Sequence, residues 1–92
     1  MGEEVITYPI DGVLDLHSFR PGEIGALLPA YLDACREKGI IEVRIIHGKG
    51  TGTLRRSVHA ILERMDMVSS FLLAEELMGG WGATVVYLKR GA

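Results

Sequence analysis

Cys35 is the single cysteine of the chain, which excludes an internal disulfide framework and suits a reducing compartment. No apolar run approaches the roughly 20 residues that a membrane-spanning helix needs. The N-terminus, MGEEVITY, is acidic where a secretory signal would be basic, so a cytoplasmic setting is expected. Internal repeats, linkers and low-complexity segments are also lacking. No histidine or cysteine spacing makes a structural zinc site. What is left is an ordinary globular composition, 48% hydrophobic and 24% charged. Its 92 residues suit one domain with a core of its own.

A basic excess is lacking too. The net charge is −2, so this is not a protein coated in positive surface. The charge is uneven, however. Residues 1–46 carry eight acids against four bases, and residues 47–92 carry six bases against four acids. Lys49, Arg55, Arg56 and Arg64 fall between 47 and 65 with only Glu63 opposing them. A local patch of this kind on an acidic body can bind a polyanion, in a salt-sensitive way. By charge alone it equally describes a solvated helix face.

The most informative stretch is 41–56, IEVRIIHGKGTGTLRR. Ile41, Val43, Ile45 and Ile46 form a short β-branched run that reads as a strand. His47 ends it, the turn Gly48-Lys49-Gly50-Thr51-Gly52 follows, and an amphipathic pattern starts at Leu54. Strand, glycine-rich turn and helix start together place backbone N–H groups where an anion can sit. The turn is not the dinucleotide fingerprint, because its third glycine comes too early and the later acid is missing. Nor is it a Walker loop, which needs glycine-lysine-serine or glycine-lysine-threonine after a four-residue gap.

Elsewhere the pattern is regular. Residues 5–8 read as a short strand or arm, and Pro9 with Asp11-Gly12 as a turn. Val13–His17 reads as a strand with Leu14 and Leu16 on one face and Val13, Asp15 and His17 on the other. Pro21 and Glu23 open a helix whose stripe is Ile24, Leu27, Leu28, Tyr31, Leu32 and Cys35. Cys35 is then core packing. Pro29 should kink or split that helix, and Gly39 should cap it. A second helix is expected from Thr53 to Met65, with Arg55, Arg56, His59 and Glu63 on its polar side, and His59 exposed. Ser70–Ala74 and Thr84–Leu88 read as strands around a glycine loop, Met78–Gly82. The fold expected is an α/β two-layer sandwich in the order β-α-β-α-β-β.

A right-handed crossover makes the first two strands parallel, so their C-terminal ends share one sheet edge. Open α/β sheets bind ligands at that edge. Asp15 and His17 close the first strand there, and His47-Gly48-Lys49-Gly50 follows the second. If the third strand runs the same way, Glu75 and Glu76 reach the same edge, with Trp81 near it. Asp15, His17 and His47 could meet as metal ligands or as a hydrogen-bonded polar cluster. Beside the basic turn, Trp81 could stack on a base while Arg55 or Arg56 pairs with phosphates.

Three segments in order resemble the Smr (small MutS-related) domain family. They are Leu14-Asp15-Leu16-His17, then Ile45-Ile46-His47-Gly48-Lys49-Gly50-Thr51-Gly52 with Leu54-Arg55, then Gly79-Gly80-Trp81-Gly82-Ala83-Thr84 and the strand after it. The resemblance covers about residues 13–88, so the domain is drawn as 13–90 with an N-terminal arm or short strand over 1–12. It departs from the family's pattern at Ser18, where glycine is usual, and at Pro29. It implies a fold similar to the C-terminal domain of translation initiation factor three. It also implies binding of DNA or RNA, often with nicking or single-strand endonuclease activity.

The family's functional positions carry over to Asp15, His17, His47, Gly48, Lys49 and Gly50. The expected catalytic residues are Asp15, His17 and His47. The expected nucleic-acid contacts are Gly48, Lys49, Gly50, Thr51, Gly52, Arg55, Arg56 and Trp81. Asp15 is the only candidate metal ligand, so magnesium or manganese as a cofactor stays an open question, and no membrane partner is expected. The alternative is a module that binds nucleic acid, or another protein, without cleaving.

Overall fold

The computed structural model describes residues 9–74 and 82–90. In chain order the elements are β1 (Val13–Asp15), a 3-10 turn over Leu16–Ser18, a second over Pro21–Glu23, α1 (Ile24–Glu37) and β2 (Glu42–Ile46). Then follow α2 (Thr53–Glu63), β3 (Val68–Leu73) and β4 (Ala83–Leu88). The expected β-α-β-α-β-β order is the observed one. The expected arm over residues 5–8, Glu75, Glu76, Trp81 and most of the Met78–Gly82 loop lie outside the described residues.

The four strands form one mixed sheet in the order β1-β2-β4-β3. β1 pairs parallel with β2, Leu14 standing opposite Ile45, as a crossover helix requires. β4 is antiparallel to both β2 and β3. β3 therefore runs in the direction of β1 and β2 although β4 separates it from them. The C-terminal ends of β1, β2 and β3 and the start of β4 share one edge.

Strand periodicity decides the core. Leu14, Val43, Ile45, Val86 and Leu88 are buried in one cluster with Ile24, Leu28, Tyr31, Leu32 and Cys35 of α1 and Val58 and Leu62 of α2. Each such side chain contributes about 1.5–3 kcal/mol by leaving water. Cys35 is packing, as its helix position implied. On the sheet's other face Val13, Leu72 and Tyr87 are exposed.

Three local expectations are corrected. The first strand ends at Asp15 instead of running to His17. The Asp15 carboxylate accepts the backbone N–H of His17 at 2.9 Å, and Phe19 N–H closes the 3-10 turn on Leu16 O at 3.1 Å. A short acid that captures the N–H two residues on competes with the sheet ladder and turns the chain. Pro29 does not split α1, which runs unbroken from Ile24 to Glu37. The carbonyl deprived of its partner is that of Gly25, which is exposed and can be hydrated instead. Gly39 caps α1 as expected, with φ +83°, while Ile40 N–H bonds Cys35 O at 2.9 Å and Gly39 N–H bonds Arg36 O at 3.0 Å. α2 ends at Glu63, two residues before the expected Met65.

Candidate functional site

The first half of the site grows from the turn that ends β1. Asp15 Oδ1 accepts twice, from the backbone of His17 and from its ring Nδ1 at 2.7 Å. A carboxylate in that contact fixes the proton on Nδ1 and leaves Nε2 of the neutral ring with its lone pair. Both side chains are more than half exposed, His17 62% and Asp15 52%. A pair so open to solvent contributes little to stability, which makes it a candidate for chemistry.

The second half is the turn after β2. Gly48 and Gly52 have φ of +83° and +86°, values that favour glycine. The two halves meet at Gly48: a Cβ added there would come within 3.0 Å of His17 Nε2. The bare α-carbon thus lets the imidazole of one motif stand over the backbone of the other. Residues 47–55, with Ser57 and Pro21, line a pocket of about 290 Å³.

The start of α2 faces the same pocket. Its N-cap is Gly52, which offers no side-chain bond, and its first turn holds no acid. Arg55 and Arg56 stand close by instead, within contact of Gly52. Helix N-termini favour negative charge, typically by 0.3–1 kcal/mol, so two arginines there work against the dipole. An anion bound at the helix start would relieve both. Thr51 and Thr53 share a hydroxyl bond of 2.9 Å, and Lys49 is exposed at the tip.

His47 is placed differently from His17. It is only 5% exposed, and both ring nitrogens are engaged: Nδ1 with Gly48 O at 2.9 Å and Nε2 with the Thr84 hydroxyl at 2.9 Å. His59 corrects the expectation of an exposed helix residue. It is half-buried, its Nε2 bonds the same Thr84 hydroxyl at 2.8 Å, and its ring lies against Phe71 with centroids 4.8 Å apart. Burial holds the His59 pKa below its ordinary value, and the neighbouring His47 and Arg55 lower it further, against a smaller raising effect of Glu63.

Thr84, His59 and Gly82 are the residues that sequence reasoning did not connect to the site. Thr84 left a trace: it has the inward parity of Val86 and Leu88, so a hydroxyl on the buried face of β4 needed a partner. Gly82 belongs to the glycine loop expected between the last two strands, where glycine ordinarily serves a turn. Its actual reason is space. A Cβ at Gly82 would fall inside the carbonyl group of Gly48, and Gly82 O accepts from both His47 N–H at 2.9 Å and Gly48 N–H at 2.8 Å. Among the described residues no group of three or more His, Cys, Asp or Glu side chains could hold a metal ion. Among the described residues Asp15 is the carboxylate bonded to His17, and its Oδ1 is already shared with that ring. No helix among the described residues is long and apolar enough to cross a membrane.

Comparison with known proteins places the fold in a family. The family model described as Smr domain matches residues 14–89. Endonuclease MutS2 of Thermomicrobium roseum is 50% identical over 62 residues, which are 67% of this chain and 8% of that protein. Endonuclease MutS2 of Solidesulfovibrio magneticus is 43% identical over 77 residues, 84% of this chain and 10% of that protein. The chain thus spans about a tenth of the length of these relatives. The crystal structure of the Smr domain of Thermus thermophilus MutS2 superposes with a TM-score of 0.77 at 35% identity, covering 86% of this chain and 99% of that one. YdaL, a stand-alone small MutS-related protein from Escherichia coli, gives a TM-score of 0.75 at 29% identity, covering 91% of this chain and 69% of that one. With the three motifs, the sheet order and the family model in agreement, the chain belongs to the Smr domain family.

Proposed function

We propose that this domain holds the phosphate backbone of DNA or RNA on the 48–52 turn and nicks it with the Asp15–His17 pair. The observation that carries the reading is the placement of His17 Nε2 over Gly48, at the junction of the two motifs. Lys49, Arg55 and the N–H groups of the turn and of the first turn of α2 supply positive potential for a phosphate and for charge that grows on it during attack. His17 Nε2, its Nδ1 proton held by Asp15, takes a proton from the attacking water, whose oxygen bonds to phosphorus while the phosphorus–oxygen bond to the leaving nucleotide breaks and that oxygen takes up a proton from solvent. Of the two histidines expected to move a proton, His17 is the exposed one, and its Nε2 has no hydrogen-bond partner among the described residues. His47 is given a holding role. Asp15 remains the candidate ligand for a divalent ion, which would supply further positive charge at the site. The names of the endonuclease relatives agree with this reading, as do the exposed pair and the basic start of α2.

The test is nicking of supercoiled plasmid and cleavage of labelled structured RNA, with magnesium, with manganese and with chelator. Loss of a general base removes roughly 10²–10⁴ of the rate, so His17→Ala and Asp15→Asn should both fall by that order while melting like the parent. Equal cleavage by both variants overturns the catalytic assignment.

A second reading is binding without cleavage. Lys49, Arg55 and Arg56 are a separate set from Asp15 and His17, so the basic surface can hold a strand without the pair. Under this reading the parent binds oligonucleotides at low salt and cleaves none under any metal condition.

A further inference from the structure

The proton positions along the chain His59, Thr84, His47 and Gly48 can be assigned one by one. The Gly48 carbonyl can only accept, so His47 Nδ1 carries a proton toward it. With the single N–H of the neutral ring on Nδ1, Nε2 keeps its lone pair, and it faces the Thr84 hydroxyl at a position that is 0% exposed. His47 Nε2 is therefore the acceptor, the Thr84 hydroxyl donates to it, and the threonine oxygen accepts from His59 Nε2–H. Among the described residues no buried side-chain nitrogen or oxygen is left unpaired. The bonds form a one-way relay from α2 through β4 to the turn after β2.

Its end point is the peptide between Gly48 and Lys49. That peptide is trans, so its N–H points opposite to its carbonyl. With the carbonyl tied inward to His47, the Lys49 N–H is turned away from His47. Gly82 lies flat against the same peptide, with no room for a side chain between them. A flipped peptide would present a carbonyl oxygen where an anion is to bind, and would lose the His47 bond.

We propose that Thr84 and His59 are positioning residues that lock the Gly48–Lys49 peptide with its N–H toward the phosphate, by fixing His47 as its Nδ1–H tautomer. This rests on the phosphate-binding reading above. It assigns to a hydroxyl 37 residues from His47 and to a helix histidine a control over the turn that neither residue type suggests.

Long-range proton–nitrogen NMR of the free protein tests the relay without any nucleic acid. His47 should appear as the Nδ1–H tautomer and His59 as the Nε2–H tautomer. Either histidine in the opposite tautomer overturns the proposal. The second measurement is affinity for a fluorescein-labelled single-stranded oligonucleotide. A neutral hydrogen bond corresponds to roughly five- to tenfold in affinity, so Thr84→Val should weaken binding by about that factor. Thr84→Ser, which restores the hydroxyl, should return to the parent value. His59→Phe removes only the first donor and should show a smaller loss, so it serves if the valine variant does not fold. Parent-like binding by the folded valine variant, or by His59→Phe if the valine variant does not fold, overturns the proposal. If the parent binds no oligonucleotide, the nucleic-acid reading fails by itself. The relay then stands or falls on whether Thr84→Val, or His59→Phe in its place, shifts the Lys49 amide and the His47 tautomer signal.

Discussion

His17 stands over the bare α-carbon of Gly48, so that an added methyl group would meet its Nε2 at 3.0 Å. Two motifs some 30 residues apart are thereby joined by the absence of a side chain. Gly48→Ala combines that contact with a left-handed φ of +83°. The backbone cost alone is about 1–2 kcal/mol, and the His17 ring must also move. We expect a lower melting temperature and a larger loss of nicking than of binding. Gly50→Ala is the control for stability, since φ is not positive there and no atom lies within 4 Å of the new Cβ. It should melt within about 0.5 kcal/mol of the parent.

Gly82 should be the least replaceable glycine of the site. A methyl group there overlaps the Gly48 carbonyl, and relieving it breaks the bonds that Gly82 O receives from His47 and Gly48. Gly82→Ala is expected to lose about 2–4 kcal/mol, near the limit of what a small domain tolerates. Gly25→Ala, inside α1 with open space around it, should instead gain roughly 0.5–1 kcal/mol. Urea denaturation of the two variants separates close approach from helix propensity.

Salt titration counts the phosphates engaged. If Lys49, Arg55 and Arg56 each neutralise one, log Kd should rise with log salt at a slope of about 2 on single strands and about 3 on duplex. Replacing any one of the three by alanine should reduce the slope by roughly 0.7–0.9. Arg64, at the far end of α2, should leave it unchanged. An equal change on losing Arg64 would place the bound strand elsewhere.

Acid stability should depend on His59. Its surroundings are the His47 ring at the end of β2, Arg55 and Glu63 on its own helix, Phe71 on β3 and the Thr84 hydroxyl on β4. Its pKa in the folded chain lies below the ordinary 6.5, through burial first and its neighbours His47 and Arg55 second. The unfolded chain therefore takes up this proton more readily. The contribution of His59 is fully present above about pH 6.5 and is lost as pH falls from there through the lower folded value. Chemical denaturation at about pH 7.5 and about pH 5.5 should show a smaller acid loss in His59→Gln than in the parent. An equal loss in both would remove His59 as a source of acid sensitivity.

Most of the fold was legible because periodicity carries it. Alternation placed Leu14 and Leu16 inward, and the spacing of Leu28, Tyr31, Leu32 and Cys35 defined the buried face of α1. The strand end at Asp15 was misplaced because a side-chain bond to the backbone overrode a pattern that looked continuous. Pro29 was overweighted because the carbonyl it strands is exposed.

What the sequence by itself determined is local: which faces are apolar, where glycine admits a turn, and where basic residues gather after β2. The three histidines are one residue type and had no separate meanings at that level. Tertiary structure made His17 an exposed partner of Asp15, His47 a buried holder of the turn, and His59 a half-buried donor to Thr84. The physical reason is that a side chain's parity fixes its face but not the atoms it meets. Those depend on the register of β4 against β2, which sets Thr84 opposite Ile45, and on how α2 lies across the sheet. Only once both are set does a threonine find two imidazoles, and a glycine at position 82 a peptide with no room to spare.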